Sequence, residues 1–346
     1  MRPHIRHVAL ASAVVAVNLA APAARAQVAY DGKSSRVEVL GLHRWTLHML
    51  QDSMAHYAPG ETLESAACMV ILRDSLHFAD AYVLHYSMSD PRLGAEKSYL
   101  IVKVVEPQER QRVQWRRTPG DTWTSLRPSY APIVLPVTDT AGNVWMGRLM
   151  YPLQFYRRDS AQRARVLADT RAGDDARRLF AYLDAHRSDA DWRTAMRVLR
   201  KDGFAYNRMV AAMILSNFAD RDSTWHALVD ALRDPHEAVR EAADQVLANL
   251  PDRTVDWRPA APSLAHLLAG TNLPAMGTVF AALRRTQVDP ALAKTLLRGD
   301  GEWLLTHLRA EYPGAKSEAH ELLVQLAGGK DLGMSDAAWR KWIRSL

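Results

Sequence analysis

Cysteine is nearly absent: Cys68 is the only one in 346 residues. That excludes an internal disulfide framework and any multi-cysteine zinc or iron–sulfur site. Beyond residue 26 no apolar run approaches the length of about 18 residues that marks a membrane-spanning helix. The motifs of several common chemistries are missing as well. There is no H-E-x-x-H zinc signature, no P-loop, no G-x-G-x-x-G after a strand and no G-x-S-x-G elbow. His320-Glu321 lacks a second histidine at the required spacing and reads as part of a polar helix face. The remaining composition, 48% hydrophobic and 24% charged, excludes wholesale disorder. The length suits about two domains.

The first 26 residues have a texture of their own. Arg2 and Arg6 precede a small, apolar stretch over residues 8–21, and Pro22-Ala-Ala-Arg-Ala26 ends in an A-x-A arrangement. This is the pattern of a secretory signal peptide cleaved after Ala26, too short in its apolar part for a spanning helix. The expected product is periplasmic or secreted, with no membrane span in the mature chain. Cleavage also changes the charge. The whole chain carries +6, whereas residues 27–346 hold 41 basic and 38 acidic residues, or +3. Nucleic-acid binding needs a clustered basic face. Arg110, Arg112, Arg116 and Arg117 around Trp115 come nearest, and we read them as a solvated strand pair beside the turn Thr118-Pro-Gly-Asp121, with no nucleic-acid partner.

Residues 27–158 mix periods of two and of about 3.6, so they predict an α+β domain, mostly antiparallel. Strands are expected over 36–40, 68–72, 82–88, 99–105, 112–117, 122–126, 133–137 and 144–150. A helix is expected over 42–56, with Leu42, Trp45, Met49 and Ser53 on one face and a stop at Pro59-Gly60. From residue 159 onward the strand signals vanish and short helices remain. Within them Asp202-Gly-Phe-Ala-Tyr-Asn-Arg208 leads into an apolar run ending at Asp220. Thirty-two residues later Asp234-Pro-His-Glu-Ala-Val-Arg240 leads into one ending at Asp252. Asp, Arg, Ala211/Ala243, Leu, Asn and the final Asp coincide without a gap. Each unit follows a helix opening near a tryptophan, Trp192 or Trp225. Residues 263–284 and 303–326 fit fainter copies. One helix pair cannot cover its own apolar face, so neighbouring pairs must bury it together.

Residues 228–243, with Asp234-Pro235, then Val-Arg240 and the small Ala242-Ala243, resemble the HEAT-repeat family. So does the closing Gly-Gly loop with Trp339 and Trp342. The resemblance covers the C-terminal half and implies an all-α HEAT-like solenoid of about four helix pairs over 159–346. It implies that Asp202, Arg208, Asp234, Pro235 and Arg240 are structural members of the repeat, the Asp and Arg residues forming a polar ladder between stacked units.

Few residues stand out for chemistry. His48, Asp52 and His56 share one face of the first expected helix at spacings of four, and two imidazoles with a carboxylate suit zinc or iron. The same stripe is also what the polar face of an amphipathic helix must look like. His77 and His85 are the other imidazoles that could join it. Cys68 lies in Ala-Ala-Cys-Met-Val-Ile, where a thiol behaves as a small hydrophobe rather than a nucleophile. No cofactor is expected. The favoured reading is an exported scaffold without enzymatic activity, contacting another protein through the solenoid surface, with Arg208, Glu237, Glu241 and Gln245 exposed along it. The alternative is an exported enzyme, such as a metal-dependent hydrolase, with catalysis in the N-terminal domain.

Overall fold

A computed structural model describes residues 27–65, 67–86, 98–120, 131–140 and 144–346. Residues 1–26 and the strand expected over 122–126 lie outside the described residues.

The first part is a four-stranded mixed sheet. Strands β1 (Gln27–Asp31) and β2 (Ser35–Leu40) form a hairpin. Helix α1 (Leu47–Tyr57) and helix α2 (Ala67–Val70), which runs on into a π turn over Ile71–Ser75, precede β3 (Asp80–Tyr86) and β4 (Ser98–Val105). The order is β1-β2-β4-β3, with β2 and β4 parallel and the two outer pairings antiparallel. Side chains alternate across a strand, and the two faces go to different cores. Val37, Val39, Leu100, Val102 and Val104 pack with Leu50 and Met54 of α1 and with Cys68 and Leu72. Leu40, Tyr99, Ile101 and Val105 point the other way and join the core of the helical part.

That part follows a 3-10 turn (Pro107–Arg112) and an extended segment. Its helices are α3 (Ala131–Val134), α4 (Gly147–Leu153), α5 (Ser160–Ala168), α6 (Gly173–Asp184), α7 (Asp189–Lys201), α8 (Ala205–Leu215), α9 (Asp222–Ala231) and α10 (Glu237–Asn249). After them come α11 (Ala261–Leu268), α12 (Met276–Arg285), α13 (Pro290–Asp300), α14 (Glu302–Arg309), α15 (Pro313–Leu326) and α16 (Asp336–Arg344). α8, α10, α12 and α15 pack each against the next, and each has a companion: α7, α9, α11 and α14. Tryptophans pin the companions. Trp192 donates to Thr224 Oγ1 (3.2 Å), Trp225 to the Ala219 carbonyl (2.9 Å) and Trp257 to Thr286 Oγ1 (2.7 Å). Trp339 is fully buried at the far end.

Several strand expectations fail for local reasons. Residues 68–72 are helical because Cys68, Ile71 and Leu72 bury one helical face, at spacings of three and four. Residues 133–137 hold a helical turn and a 3-10 turn, since Pro132 and Pro136 cannot donate to a ladder. The 144–150 stretch contributes one bridge, Thr138 to Val144, and then becomes α4, which buries Leu149, Met150 and Leu153. α1 starts five residues later than expected. Glu106 takes the backbone N–H groups of His43, Arg44 and Trp45 (2.7–3.0 Å), and Thr46 caps the helix. Its buried residues are therefore Leu50 and Met54, while Met49 is exposed.

The sheet docks on the helices through buried carboxylates. Glu38 accepts from the backbone N–H of Glu311 (2.6 Å) and Tyr312 (3.3 Å), at the start of α15. Asp80 accepts from Leu273 N–H (3.1 Å), just before α12. A helix N-terminus favours negative charge and has donors to spare. Two glycines allow the close approach. Gly41 (φ 94°) and Gly270 (φ 117°) adopt left-handed backbone, and a Cβ on either would fall within 2.8 Å of the Trp303 ring.

Candidate functional site

The two matching stretches of sequence build the same local device twice. In the first, Asp202 accepts from Phe204 N–H (2.8 Å), and Arg208 Nη1 donates to the carbonyls of Asp202 (2.9 Å) and Gly203 (3.1 Å). In the second, Asp234 accepts from His236 N–H (2.9 Å), and Arg240 Nη1 donates to the carbonyls of Asp234 and Pro235 (both 2.9 Å). Arg208 then crosses to the next unit and grips the Asp234 carboxylate with two bonds of 2.8 and 2.9 Å. Arg208 and Asp234 are both buried, so Arg208 is not the exposed residue expected of it. Pro235 lies in the turn and His236 is the cap of α10, so the proline sits two residues outside the helix start.

In the next unit a residue from the sheet performs the capping that Asp202 and Asp234 perform in theirs. Residues 262–286 lack the Asp-Pro turn, and Asp80 of β3 reaches Leu273 N–H instead. Arg240 does not cross to a next-unit aspartate as Arg208 does. Its guanidinium lies 4.5 Å from the centre of the Trp115 ring.

Trp115 belongs to the extended segment that had read as a strand. Residues 113–117 pair with no described strand but form a strap across the helix ends. Arg116 N–H donates to the Arg233 carbonyl (2.7 Å), Arg233 Nε to the Gln114 carbonyl (3.1 Å), and Gln114 N–H to Thr271 Oγ1 (2.9 Å). The Arg116 guanidinium bonds Asp234, Asp230 (3.3 Å) and the Leu199 carbonyl (2.8 Å). Arg112 is held by the Ala269 carbonyl (3.0 Å) and Glu109 (3.0 Å). Two of the four arginines weighed as a basic face are thus internal fasteners, and only Arg110 and Arg117 are exposed.

Between the strap, β3, α4 and α10 lies a cleft of about 370 Å³. One wall is a stripe of α10, Glu237, Glu241, Asp244 and Gln245, at helical spacings that share a face. The lining also includes Tyr82, Trp115 and Met150, and two arginines, Arg73 and Arg240. Asp80 and Arg73 bond each other (3.1 Å). None of Glu237, Glu241 and Asp244 forms an ion pair with a described residue. Burial, with Glu237 and Asp244 nearby, pushes the Glu241 carboxyl above its ordinary range. Burial raises Asp244 to about 6, against the opposing pull of Thr278 and Lys103. Its Oδ1 is covered and has no hydrogen-bond partner. A concave site with convergent polar groups and perturbed carboxyls is where binding is first sought.

Behind Asp244 lies Lys103, the single charge in the strongest strand. It is 4% exposed, faces the helices in register with Leu40 and Tyr82, and bonds no described residue. Burial lowers its ammonium to about 8. His307, equally buried, donates from Nδ1 to the Trp303 carbonyl (2.8 Å) and leaves Nε2 unpartnered. Burial takes it down to about 3.

The histidine stripe is elsewhere. His48 Nε2 and Asp52 Oδ2 are 3.4 Å apart on the exposed side of α1, and His56 is exposed beside Tyr57. Cys68 is fully buried, its thiol pushed up to about 12. Among the described residues no three His, Cys, Asp or Glu side chains are arranged to hold a metal ion, and no described helix is long and apolar enough to cross a membrane. Glu237, Glu241 and Gln245 were visible in the sequence as one face of a helix. Asp80, Tyr82, Lys103 and Trp115 were not, because only the tertiary fold brings them there.

No family model matches the chain, and no curated protein matches it.

Proposed function

We propose that the chain is an exported interaction scaffold whose helical part is a HEAT-like solenoid, and that the cleft is where it holds a partner protein. The row of packed helix pairs and the twice-built Asp/Arg device favour the solenoid reading. The leader-like residues 1–26 favour a periplasmic or secreted location. The single observation behind the binding reading is the α10 stripe: Glu237, Glu241 and Asp244 line a cleft together and form no close ion pair with a described residue, although Arg240 and Lys103 lie near them. Carboxylates that make no close ion pair at a partly desolvated wall are complementary to positive charge. Aromatic rings and methionine in the same lining suit the apolar stem of a lysine or arginine. The occupant is therefore an extended, basic segment of another protein. Arg116 of the strap already uses the neighbouring carboxylates Asp230 and Asp234 in this manner.

The test is calorimetric titration of the full chain with a short Lys/Arg peptide and with its norleucine/citrulline counterpart. Binding of the basic peptide alone, weakened by salt and by Glu237→Gln with Glu241→Gln, is expected. Equal binding of both peptides, or of neither, defeats the reading.

A further inference from the structure

Asp244 belongs to two environments at once. It lines the cleft, and it faces the buried ammonium of Lys103. We propose, resting on the reading of the cleft above, that binding there is coupled to a proton on Asp244: a seated cation requires the carboxylate, so acid releases the ligand. The bond change is simple. The O–H of the protonated carboxyl breaks, its proton goes to solvent, and the carboxylate receives the cation.

The geometry confines this role to Asp244. Glu237, the outermost acid, is exposed to water. Glu241 is partly buried. Asp244 alone has a carboxyl oxygen that is both covered and unpartnered. Several of the groups around it keep their charge through the acid range. Lys103 from β4 stays protonated well below its value of about 8. His307 of α14, which faces Lys103, stays neutral down to about 3. Tyr82 from β3 is raised and neutral. Glu318 of α15 also faces Lys103. From α12 comes the uncharged Thr278. The charges on α4 and α8 are engaged elsewhere, Arg148 on Asp175 and Arg208 on Asp234. On α9, Asp230 is held by Arg116 and Ser263. On α10 itself Arg240 stays charged, and burial holds His236 at the cap below the ordinary histidine value. Burial also displaces the carboxyls of Glu241, of Asp80 in the same lining and of Glu318 upward, and the Asp244→Asn variant separates their titration from that of Asp244.

With Asp244 titrating at about 6 in the free protein, affinity for a cation falls about tenfold between pH 7.5 and pH 5. The experiment is titration of the full chain with the Lys/Arg peptide at pH 7.5, 6 and 5, for wild type, Asp244→Asn and Glu237→Gln. At pH 6, calorimetry in two buffers of different ionisation heat reads the protons released. Expected are a roughly tenfold loss and release of about half a proton for wild type. Asp244→Asn should bind more weakly at pH 7.5, with a flatter profile and less proton release. Glu237→Gln should bind more weakly with the wild-type slope. Wild-type binding that ignores pH overturns the coupling and leaves the cleft reading standing. A slope that persists unchanged in Asp244→Asn assigns the proton to another group, among them Glu241, Asp80, Glu318 and His236, and also overturns it. No basic peptide bound at any pH defeats both.

Discussion

Replacing Lys103 by methionine should make the protein more stable at neutral pH, although it removes the only charge from a central strand. The ammonium is 4% exposed and bonds no described residue, so folding strips it of water with little return. Its folded value of about 8 stands against 10.5 in an unconstrained chain. A lowered value for a base means that the unfolded chain holds more protons between those two limits. Wild-type stability therefore rises with pH from about 8 to 10.5, and below 8 the full penalty applies. At 1.36 kcal/mol per pH unit the penalty is about 3 kcal/mol. Methionine has a similar stem and no charge, so Lys103→Met should gain an amount of that order at pH 7. The gain should shrink as pH approaches 10.5. Urea unfolding of both proteins at pH 7, 8, 9 and 10 measures the difference at each point. A variant less stable than wild type at pH 7, or a gap that does not close in alkali, refutes the argument: the ammonium would then be stabilising the junction.

His307 has the same sign and a different window. Its folded value of about 3 lies below the ordinary 6.5, so its contribution is lost as pH falls below 6.5. His307→Phe, beside Phe280 (ring centres 5.1 Å apart), should resist acid by about 2 kcal/mol more than wild type at pH 5, read from urea midpoints at pH 7 and 5. Asp234→Ala should cost about 3–5 kcal/mol, because it leaves Arg208 buried without a counter-charge and frees Arg116 of the strap. A loss below about 1 kcal/mol in urea unfolding would show that the carbonyl bonds of both arginines suffice.

The parts of the fold that could be read from sequence are those set by spacing along the chain. The match of 202–220 with 234–252 shows because both units make the same short-range bonds, Asp to the N–H two residues on and Arg back to the carbonyls five and six residues before it. Strand β4 shows because both its faces are buried. Residues 112–117 mislead because an extended strap has the composition of a strand, while its partners, Arg233 and Thr271, lie on loops more than 110 residues away. Residues 68–75 mislead because a short apolar run fits either period. Of the cleft, only the α10 stripe was visible. The one hint of the buried charge was Lys103 itself, a lysine inside Tyr-Leu-Ile-Val-Lys-Val-Val.

The docking of Glu38 on Glu311 and Tyr312 has a kinetic side. The two ends of that contact are 273 and 274 residues apart, and Asp80 and Leu273 are 193 apart. During synthesis the sheet can pair and cover one face with α1 long before its other face has anything to meet. Until α15 and the loop before α12 are made, Leu40, Ile101 and Val105 are open to solvent, and Glu38 and Asp80 are without the backbone donors that those segments supply. Contacts of such long range close slowly, and open apolar sheet surface invites association between chains. The interval before that face closes is when this protein is most exposed to aggregation, and a holdase occupying the open face of the sheet would protect it there.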